Sequence, residues 1–296
     1  MRPGNLKAIG MMLVAVGFFS VMDAGLKQMS GFYPGIEVTF LRAAASLPFA
    51  IGSIVWSGAW VRLRPVNPLL YLLRGAIGIV MLVTFIYSVS VQALTDCYAI
   101  FMSAPLMVAA LSRLVLGEAV PTRRWLAIVL GLIGVLIALK PGGAGFISLG
   151  GLAAAVSAAC YAVNVLLIRV TGRTDSNHAL VFWYLIVLTL GAAALAYPGW
   201  QPVAVRDWPL IAFIGATGAV GQHLLTSAFR LAPPSTIAPF EYTALIWGLL
   251  LDRVLFAILP VPRVVLGGAI VIAGGLYLIW DERRAPAAEP VVVTRG

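Results

Sequence analysis

Charged residues are scarce in this sequence. They make up only 10% of the 296 residues, whereas 61% are hydrophobic and the mean hydropathy is +1.00. Soluble globular chains are about 25% charged, so the solvated surface of a soluble domain is missing. The net charge of +9 does not by itself indicate nucleic acid, because Lys and Arg collect in the cytoplasmic loops of membrane proteins. We therefore expect a membrane protein surrounded by the lipid bilayer, with no nucleic-acid partner.

Cysteine and histidine are also rare, with two of each. Cys97 and Cys160 lie in apolar segments without CxxC spacing, which indicates packing residues rather than metal ligands or a disulfide. His178 lies near a predicted loop and His223 stands alone in its segment. No metal site and no other cofactor are predicted.

The motifs of the main enzyme classes are missing as well. The three lysines are followed by Ala, Gln and Pro, so the GK[ST] sequence of an ATP-binding loop is absent. No HExxH, GxSxG or paired-Asp protease motif is present, which argues against an intramembrane enzyme. The sequence therefore predicts a protein that is not an enzyme.

Long apolar runs are abundant. A helix that crosses the hydrocarbon core needs about 20 apolar residues. The first run follows Arg2 and Lys7 and resembles a signal peptide, but further apolar runs follow it, so we interpret it as a retained helix. The sequence predicts an all-α membrane protein with ten transmembrane helices. The ten segments are 8–27, 36–57, 69–90, 96–115, 124–140, 147–168, 178–197, 208–230, 236–257 and 262–280.

The basic residues predict the orientation. With the N-terminus inside, 14 of the 20 Lys and Arg residues, among them Arg62, Arg74 and Arg230, fall on the cytoplasmic side, and five fall outside. Arg42 lies within a helix. The opposite orientation would violate the positive-inside rule, so both termini are predicted to be cytoplasmic, with a disordered tail over 281–296.

The two halves of the sequence correspond. An offset of 140 residues superimposes the fourth and fifth segments on the ninth and tenth, and an offset near 142 places Phe19 on Tyr161. We therefore predict a first repeat over 1–140, a linker over 141–147 and a second repeat over 148–280. Each repeat has five spans, an odd number, so the second is inverted in the membrane. Inverted repeats are typical of alternating-access carriers, which bind substrate near the midplane.

Several segments carry a family resemblance. They are VMDAGLK (21–27), YPGIEVTFLRA (33–43), LVLGEAVPTRRWLAIVLGLIGVLIAL (114–139), APFEYTALIWGLLL (238–251) and GGAIVIAGGLYL (267–278). With these segments the chain resembles the drug/metabolite transporter superfamily, specifically its EamA type of two fused five-helix repeats. The second half departs from the pattern, because Ala257-Ile258 stand where a Gly-Glu pair is expected.

The resemblance implies secondary transport across the bacterial inner membrane. The favoured activity is export of a small-molecule substrate, an amino-acid-like or amino-acid-derived metabolite, with metallophores among the candidates. The alternatives are uptake of a cofactor-like compound such as riboflavin or S-adenosylmethionine, and a membrane scaffold that transports nothing. Either a monomer or a homodimer fits.

Polar residues inside predicted helices are the candidate site residues, because their burial in lipid is costly. Glu241, two residues after Pro239, either binds a substrate amine or a proton, or pairs with a cytoplasmic arginine such as Arg230. Arg42 either pairs with Glu37 or Asp23, or receives a substrate carboxylate.

The remaining candidates are less specific. Gln222 and His223 either line a cavity or hydrogen-bond between helices. Asp23 is spaced to pair with Lys27 on its own helix. Tyr98, Tyr242 and Asn164 are further candidate lining residues. If protons drive transport, Glu241, His223 and Asp23 are the predicted carriers.

Overall fold

The computed structural model describes residues 3–91, 100–117, 120–139, 148–247, 250 and 262–284. Every regular element in these ranges is helical. The α-helices are α1 (Pro3–Met29), α2 (Gly35–Ser57), α3 (Pro68–Val91), α4 (Ala104–Leu116), α5 (Thr122–Leu139), α6 (Leu149–Thr171), α7 (Asn177–Ala196), α8 (Trp208–Leu231), α9 (Pro234–Ile237) and α10 (Pro262–Arg284). Short 3₁₀ segments lie at Ala59–Leu63, Tyr197–Gly199, Val205–Asp207 and Ala238–Thr243.

The predicted all-α membrane architecture is confirmed. Among the described residues, six helices are long and apolar enough to span a bilayer (α1, α2, α3, α6, α7 and α8), and two shorter apolar helices cover Ala104–Leu116 and Val265–Tyr277. The predicted linker over 141–147 and part of the ninth predicted segment lie outside the described residues. The last helix continues to Arg284, so 281–284, assigned to the disordered tail, are helical; the rest of the tail also lies outside them.

Local sequence explains where several helices begin and end. Gly58 and Gly117 follow α2 and α4 with φ values of 61° and 64°, a left-handed conformation that glycine adopts without steric cost. At the start of α6 and α7, the hydroxyls of Ser148 and Ser176 accept the backbone N–H of the residue three positions later. These caps satisfy N–H groups that have no partner within the helix.

The helices pack in a pattern with internal two-fold symmetry. The helix α1 packs on α8, and α6 packs on α3; likewise α2 contacts α8, and α7 contacts α3. The pairs α2–α7 and α5–α10 map onto themselves when α1–α5 are exchanged with α6–α10. The principal contacts therefore join one half of the chain to the other.

Two glycines show the same correspondence in atomic detail. A Cβ added to Gly215 on α8 would lie 2.4 Å from the carbonyl oxygen of Ala45 on α2, and one added to Gly75 on α3 would lie 2.2 Å from Val187 on α7. The two glycines are 140 positions apart, and their partners are 142 apart. Small residues let helices approach closely in membranes, and both halves use them at the same place.

The connections form two ends of the helix bundle. At the Asp207 end, Tyr33 donates its hydroxyl to Asp207 Oδ2 at 2.7 Å. At the Asp175 end, Tyr71 donates to Asp175 Oδ2 at 2.6 Å. Each bond joins the first half of the chain to the second.

Candidate functional site

A buried arginine on α3 is the most unusual polar group of the described structure. Arg74 is 0% exposed. Its Nε donates to Asn164 Oδ1 at 2.9 Å and its Nη1 to the Leu180 carbonyl at 2.7 Å. The guanidinium carbon lies 4.6 Å from the centre of the Tyr184 ring. Arg74, which the charge count places on the cytoplasmic side, is therefore not an exposed loop residue, because its side chain is enclosed between α3, α6 and α7.

The hydrogen bonding of Arg74 is incomplete. Its Nη2 is buried without a partner, and no carboxylate of the described residues lies within ion-pair distance of the side chain. A buried charge is costly unless it is paired and hydrogen-bonded. Arg74 therefore presents a cationic donor that an external anion can satisfy.

Glu241 is the matching anionic group. It lies in the 3₁₀ segment Ala238–Thr243, where Pro239 has no backbone N–H to donate to a regular helix. The residue is 8% exposed, and its Oε1 is buried without a partner. Its carboxyl group interacts with the Tyr161 hydroxyl of α6.

The alternative pairing of Glu241 with Arg230 is not formed. Arg230 instead donates its Nε to the Gly172 carbonyl at 2.8 Å at the Asp175 end. Among the residues that the structure describes, no cation makes an ion pair with Glu241.

The helix α6 brings the two charged groups together. Tyr161, which contacts Glu241, and Asn164, which binds Arg74, are three residues apart and share one helix face. Their Cα atoms are separated by about 4.5 Å along the helix axis. We call Arg74, Asn164, Tyr161, Tyr184 and Glu241 the charged site. Aromatic rings extend one side of the charged site. The ring centroids of Tyr161 and Phe101 are 5.8 Å apart, and those of Phe101 and Phe85 are 5.4 Å apart.

Arg42 lies in a separate place on α2. Its Nε donates to the sulfur of Met22 at 3.2 Å, and neighbouring Asp23 is close enough to interact with it electrostatically. Among the described residues, Arg42 and Glu37 form no ion pair. One carboxylate oxygen of Glu37 accepts the Gln201 backbone N–H at 3.0 Å, and the other is buried without a partner. The side chain of Lys27, the predicted partner of Asp23, lies outside the described residues.

His223 does not stand alone, contrary to the sequence interpretation. Its ring faces that of His178 with a centroid distance of 5.5 Å. Both rings line a cleft of about 240 Å³ between α2, α7 and α8. We call this cavity the histidine cleft. Neighbouring Gln222 is buried and donates to Thr226 Oγ1 within α8 at 3.3 Å.

Tyr242 and Tyr98 are the two remaining candidate residues. Tyr242 is 1% exposed, packs against Gly131 of α5, and has a buried hydroxyl without a partner. Tyr98 lies outside the described residues. Apart from Tyr98 and Tyr242, the predicted site residues thus lie in or beside the charged site, the surroundings of Arg42 and the histidine cleft.

Sequence reasoning missed Arg74, although a signal was present. Arg74 lies about as deep in its predicted segment as Arg42 does. The same depth argument that selected Arg42 therefore applied to Arg74. No comparable signal marked Tyr184, whose role depends on which helix packs against α3.

The fold and its buried polar groups define a class, a multi-pass α-helical membrane protein. The chain belongs to the EamA-like transporter family, whose model matches residues 6–140 and 148–280. It is a membrane transporter, located as a multi-pass protein in the bacterial inner membrane.

Individual relatives agree on transport. The chain is 26% identical over 275 residues to a pseudopaline exporter of Pseudomonas aeruginosa, covering 92% of this chain and 96% of the relative. It is 24% identical to an S-adenosylmethionine uptake transporter of Rickettsia bellii, covering 94% of each. A riboflavin transporter of Vibrio cholerae is 29% identical over 63% of each chain. A crystal structure at 17% identity superimposes with a TM-score of 0.81, covering 95% of this chain and 100% of the other, which shows the shared fold.

Proposed function

We propose that this protein is a secondary transporter that exports a small zwitterionic, amino-acid-like or amino-acid-derived metabolite by alternating access. The observation that carries the proposal is the charged site. It holds a buried guanidinium nitrogen of Arg74 and a buried carboxylate oxygen of Glu241, each without a partner, on one face of α6. The substrate carboxylate would bind Arg74, and its ammonium group would bind Glu241.

The energetics favour a ligand at this place. Arginine binds carboxylates through paired N–H groups, and Nη2 is free for one such bond. Hydrogen bonds to charged groups contribute about 1.5–3 kcal/mol each. A zwitterion would satisfy both unpaired atoms at once, whereas an uncharged solute would leave both unsatisfied.

The proposed architecture has ten transmembrane helices in two inverted five-helix repeats with cytoplasmic termini. The two-fold packing pattern and the equivalent glycines Gly75 and Gly215 support it. The charges support the Asp175 end as the cytoplasmic one, because Arg62, Arg173 and Arg230 belong to elements at that end and Arg206 to the other. Inverted repeats suit alternating access around a site between them.

Uptake of a cofactor-like compound is the second candidate. Among such compounds, S-adenosylmethionine carries an amino-acid group with the ammonium and carboxylate that the charged site would bind. Riboflavin has neither, so the charged site favours the former. The relative named for S-adenosylmethionine uptake supports this alternative.

Substrate binding can be tested by thermal unfolding of the detergent-purified protein with a panel of metabolites. A ligand that binds the native state raises the midpoint by mass action. We expect zwitterionic amino-acid derivatives to stabilise the wild type, and their N-acetyl or ester analogues to have no effect. If no compound stabilises the protein, a scaffold without transport activity becomes the better interpretation.

Transport and its direction need a vesicle assay. The compound that stabilises the protein is loaded into right-side-out and inverted membrane vesicles of a strain with and without the gene. Faster loss from right-side-out vesicles that contain the protein supports export. Accumulation against a concentration gradient in the same vesicles would instead support uptake.

A further inference from the structure

The histidine cleft contains a cluster that the charged site does not use. Both histidines of the sequence lie there, His178 in the first turn of α7 and His223 on α8. Their ring planes are tilted by 51°, so they are not stacked in parallel. No residue of the charged site lines this cleft.

Hydroxyl groups beside His178 act as acceptors. Ser53 donates its hydroxyl hydrogen to the Ala50 carbonyl, and Ser57 donates to the Ser53 carbonyl. The two serine oxygens lie 3.5 Å and 3.4 Å from the two ring nitrogens of His178. A neutral imidazole has one N–H and one lone pair, so only one serine can accept a hydrogen. The oxygen of the other serine faces the ring nitrogen that carries the lone pair.

Asn177 adds another acceptor without a donor. Its Oδ1 is buried and has no partner. Its amide nitrogen lies 3.1 Å and 3.2 Å from the two ring nitrogens of His223. The cluster therefore has more lone pairs than hydrogens to satisfy them. An anion would bring further lone pairs, whereas a metal cation with empty coordination positions would accept the lone pairs that have no hydrogen.

The spacing fits a single metal ion. With metal–nitrogen bonds of about 2.0–2.1 Å at tetrahedral angles, two imidazole centres lie roughly 5 Å apart and neighbouring ligand atoms about 3.3 Å apart. The ring centroids are 5.5 Å apart. The Asn177 amide nitrogen lies 3.1 Å from His223 Nδ1, and a 180° rotation of the amide group exchanges its nitrogen and oxygen, which brings Oδ1 to this ligand position. Imidazole nitrogen is a preferred ligand of Zn²⁺, Ni²⁺ and Cu²⁺. Serine oxygens beside His178 would orient its ring, as partners of metal-bound histidines commonly do.

We propose that His178, His223 and the Asn177 side-chain oxygen bind one divalent transition-metal ion in the histidine cleft. Water in the open cleft would complete the coordination. Among the described residues, no three His, Cys, Asp or Glu side chains form a metal site, so the amide oxygen is the required third ligand.

Neighbouring charges set the expected strength. Arg62 is close enough to His178 to repel a cation there. The carboxylate of Asp175 accepts from Tyr71 and Thr174, and it is not among the groups that act electrostatically on His178. The positive end of the α7 dipole acts in the same direction as Arg62. We therefore expect a dissociation constant in the range of about 1–100 μM, corresponding to roughly −8 to −5.5 kcal/mol.

The test is a titration of the tag-free, chelator-treated full-length protein in detergent with ZnCl₂, followed by calorimetry. One equivalent of zinc per chain is expected. His178→Ala and His223→Ala should each weaken binding at least about tenfold, since each removes one of three ligands.

Asn177→Asp separates a metal site from a purely structural cluster. A carboxylate oxygen in place of the amide oxygen adds a negative charge beside the ion, so zinc binding should tighten by roughly tenfold. The matched control is Asn67→Asp, a change of the exposed asparagine before α3 at the same end, which should leave binding unchanged. The proposal is overturned if the wild type binds no stoichiometric zinc. It is equally overturned if affinity is the same in the His178→Ala/His223→Ala double variant, or if Asn177→Asp does not bind more tightly.

Discussion

Two equivalent helix junctions, one in each half of the packing pattern, have different chemistry. At the first junction Met22 of α1 contacts Arg42 of α2, and Ile214 of α8 completes the group. At the second, Asn164 of α6 and Tyr184 of α7 surround Arg74 of α3. The residues correspond by offsets of 142 and 140 positions. Each junction holds one arginine, but a different helix supplies it.

The environments of the two arginines differ in a way that matters for binding. Arg42 is half-buried beside Asp23 and donates to a sulfur atom, which is a weak acceptor. Arg74 is fully buried, has strong neutral acceptors and lacks a carboxylate neighbour among the described residues. A cation that already has an anionic neighbour gains less from a substrate carboxylate. This difference therefore supports the second junction as the proposed place for a substrate carboxylate.

The largest expected effect follows from Arg74→Gln. It removes the proposed contact to the substrate carboxylate, and transport should fall by roughly 10–150-fold, the factor that corresponds to about 1.5–3 kcal/mol. Arg74→Lys should recover little, because one ammonium group cannot reach both Asn164 and Leu180. The measurement is the initial export rate at matched protein amounts.

Arg42→Gln is the matched control for the first junction. It removes the same charge at the equivalent junction, so the loss should stay below about tenfold if that arginine does not bind substrate. Equal losses in Arg42→Gln and Arg74→Gln would contradict the difference between the junctions.

Glu241→Gln should have the next largest effect. The variant keeps the shape of the side chain but loses the charge that would bind the ammonium group, so zwitterion transport should fall by at least about tenfold. An analogue without the amine should be affected much less. Initial rates for both compounds, measured from pH 6 to 8, also test proton coupling: if Glu241→Gln and His223→Ala both keep the wild-type pH dependence, neither residue carries a coupling proton.

Exchanging the equivalent residues Met22 and Asn164 should affect stability. Asn164→Met leaves Arg74 Nε without a partner and removes the bond that the Asn164 amide donates to the Arg74 carbonyl, which should lower the free energy of unfolding by about 1–3 kcal/mol. Met22→Asn gives half-buried Arg42 a better acceptor and should change the free energy of unfolding by less than about 1 kcal/mol. Thermal unfolding in one detergent measures both. A greater loss from Met22→Asn than from Asn164→Met would show that the buried network at Arg74 contributes less than its geometry indicates.

The two ends of the bundle give the smallest expected difference. Tyr71→Phe removes a buried hydrogen bond to Asp175 and should lower the free energy of unfolding by about 1.5–3 kcal/mol. Tyr33→Phe removes the corresponding bond to Asp207, which is only partly buried, so the midpoint should fall less. If Tyr33→Phe lowered the unfolding midpoint more than Tyr71→Phe, the Asp207 end would be the better-stabilised one.

Some residues of the candidate sites were predictable and others were not. Glu241, Asn164, Arg42 and His223 stood out because polar residues in apolar runs are rare. Their grouping did not follow from the sequence. His178 was predicted to lie near a loop and was not a candidate site residue, yet its ring faces His223 across 45 sequence positions. Such a contact depends on how α7 and α8 are rotated about their axes, which short-range patterns do not specify.

The sequence by itself determined the membrane environment, the helical class and the correspondence of the halves. These features follow from the composition and from the length of apolar segments, since a polar backbone in lipid must be satisfied within helices. Only the tertiary structure decided the chemistry of the interior. It buried Arg74 between α3, α6 and α7, and it placed Tyr161 and Asn164 of one helix face against Glu241 and Arg74. The physical reason is that the partner of a buried charge depends on the packing of helices distant in sequence.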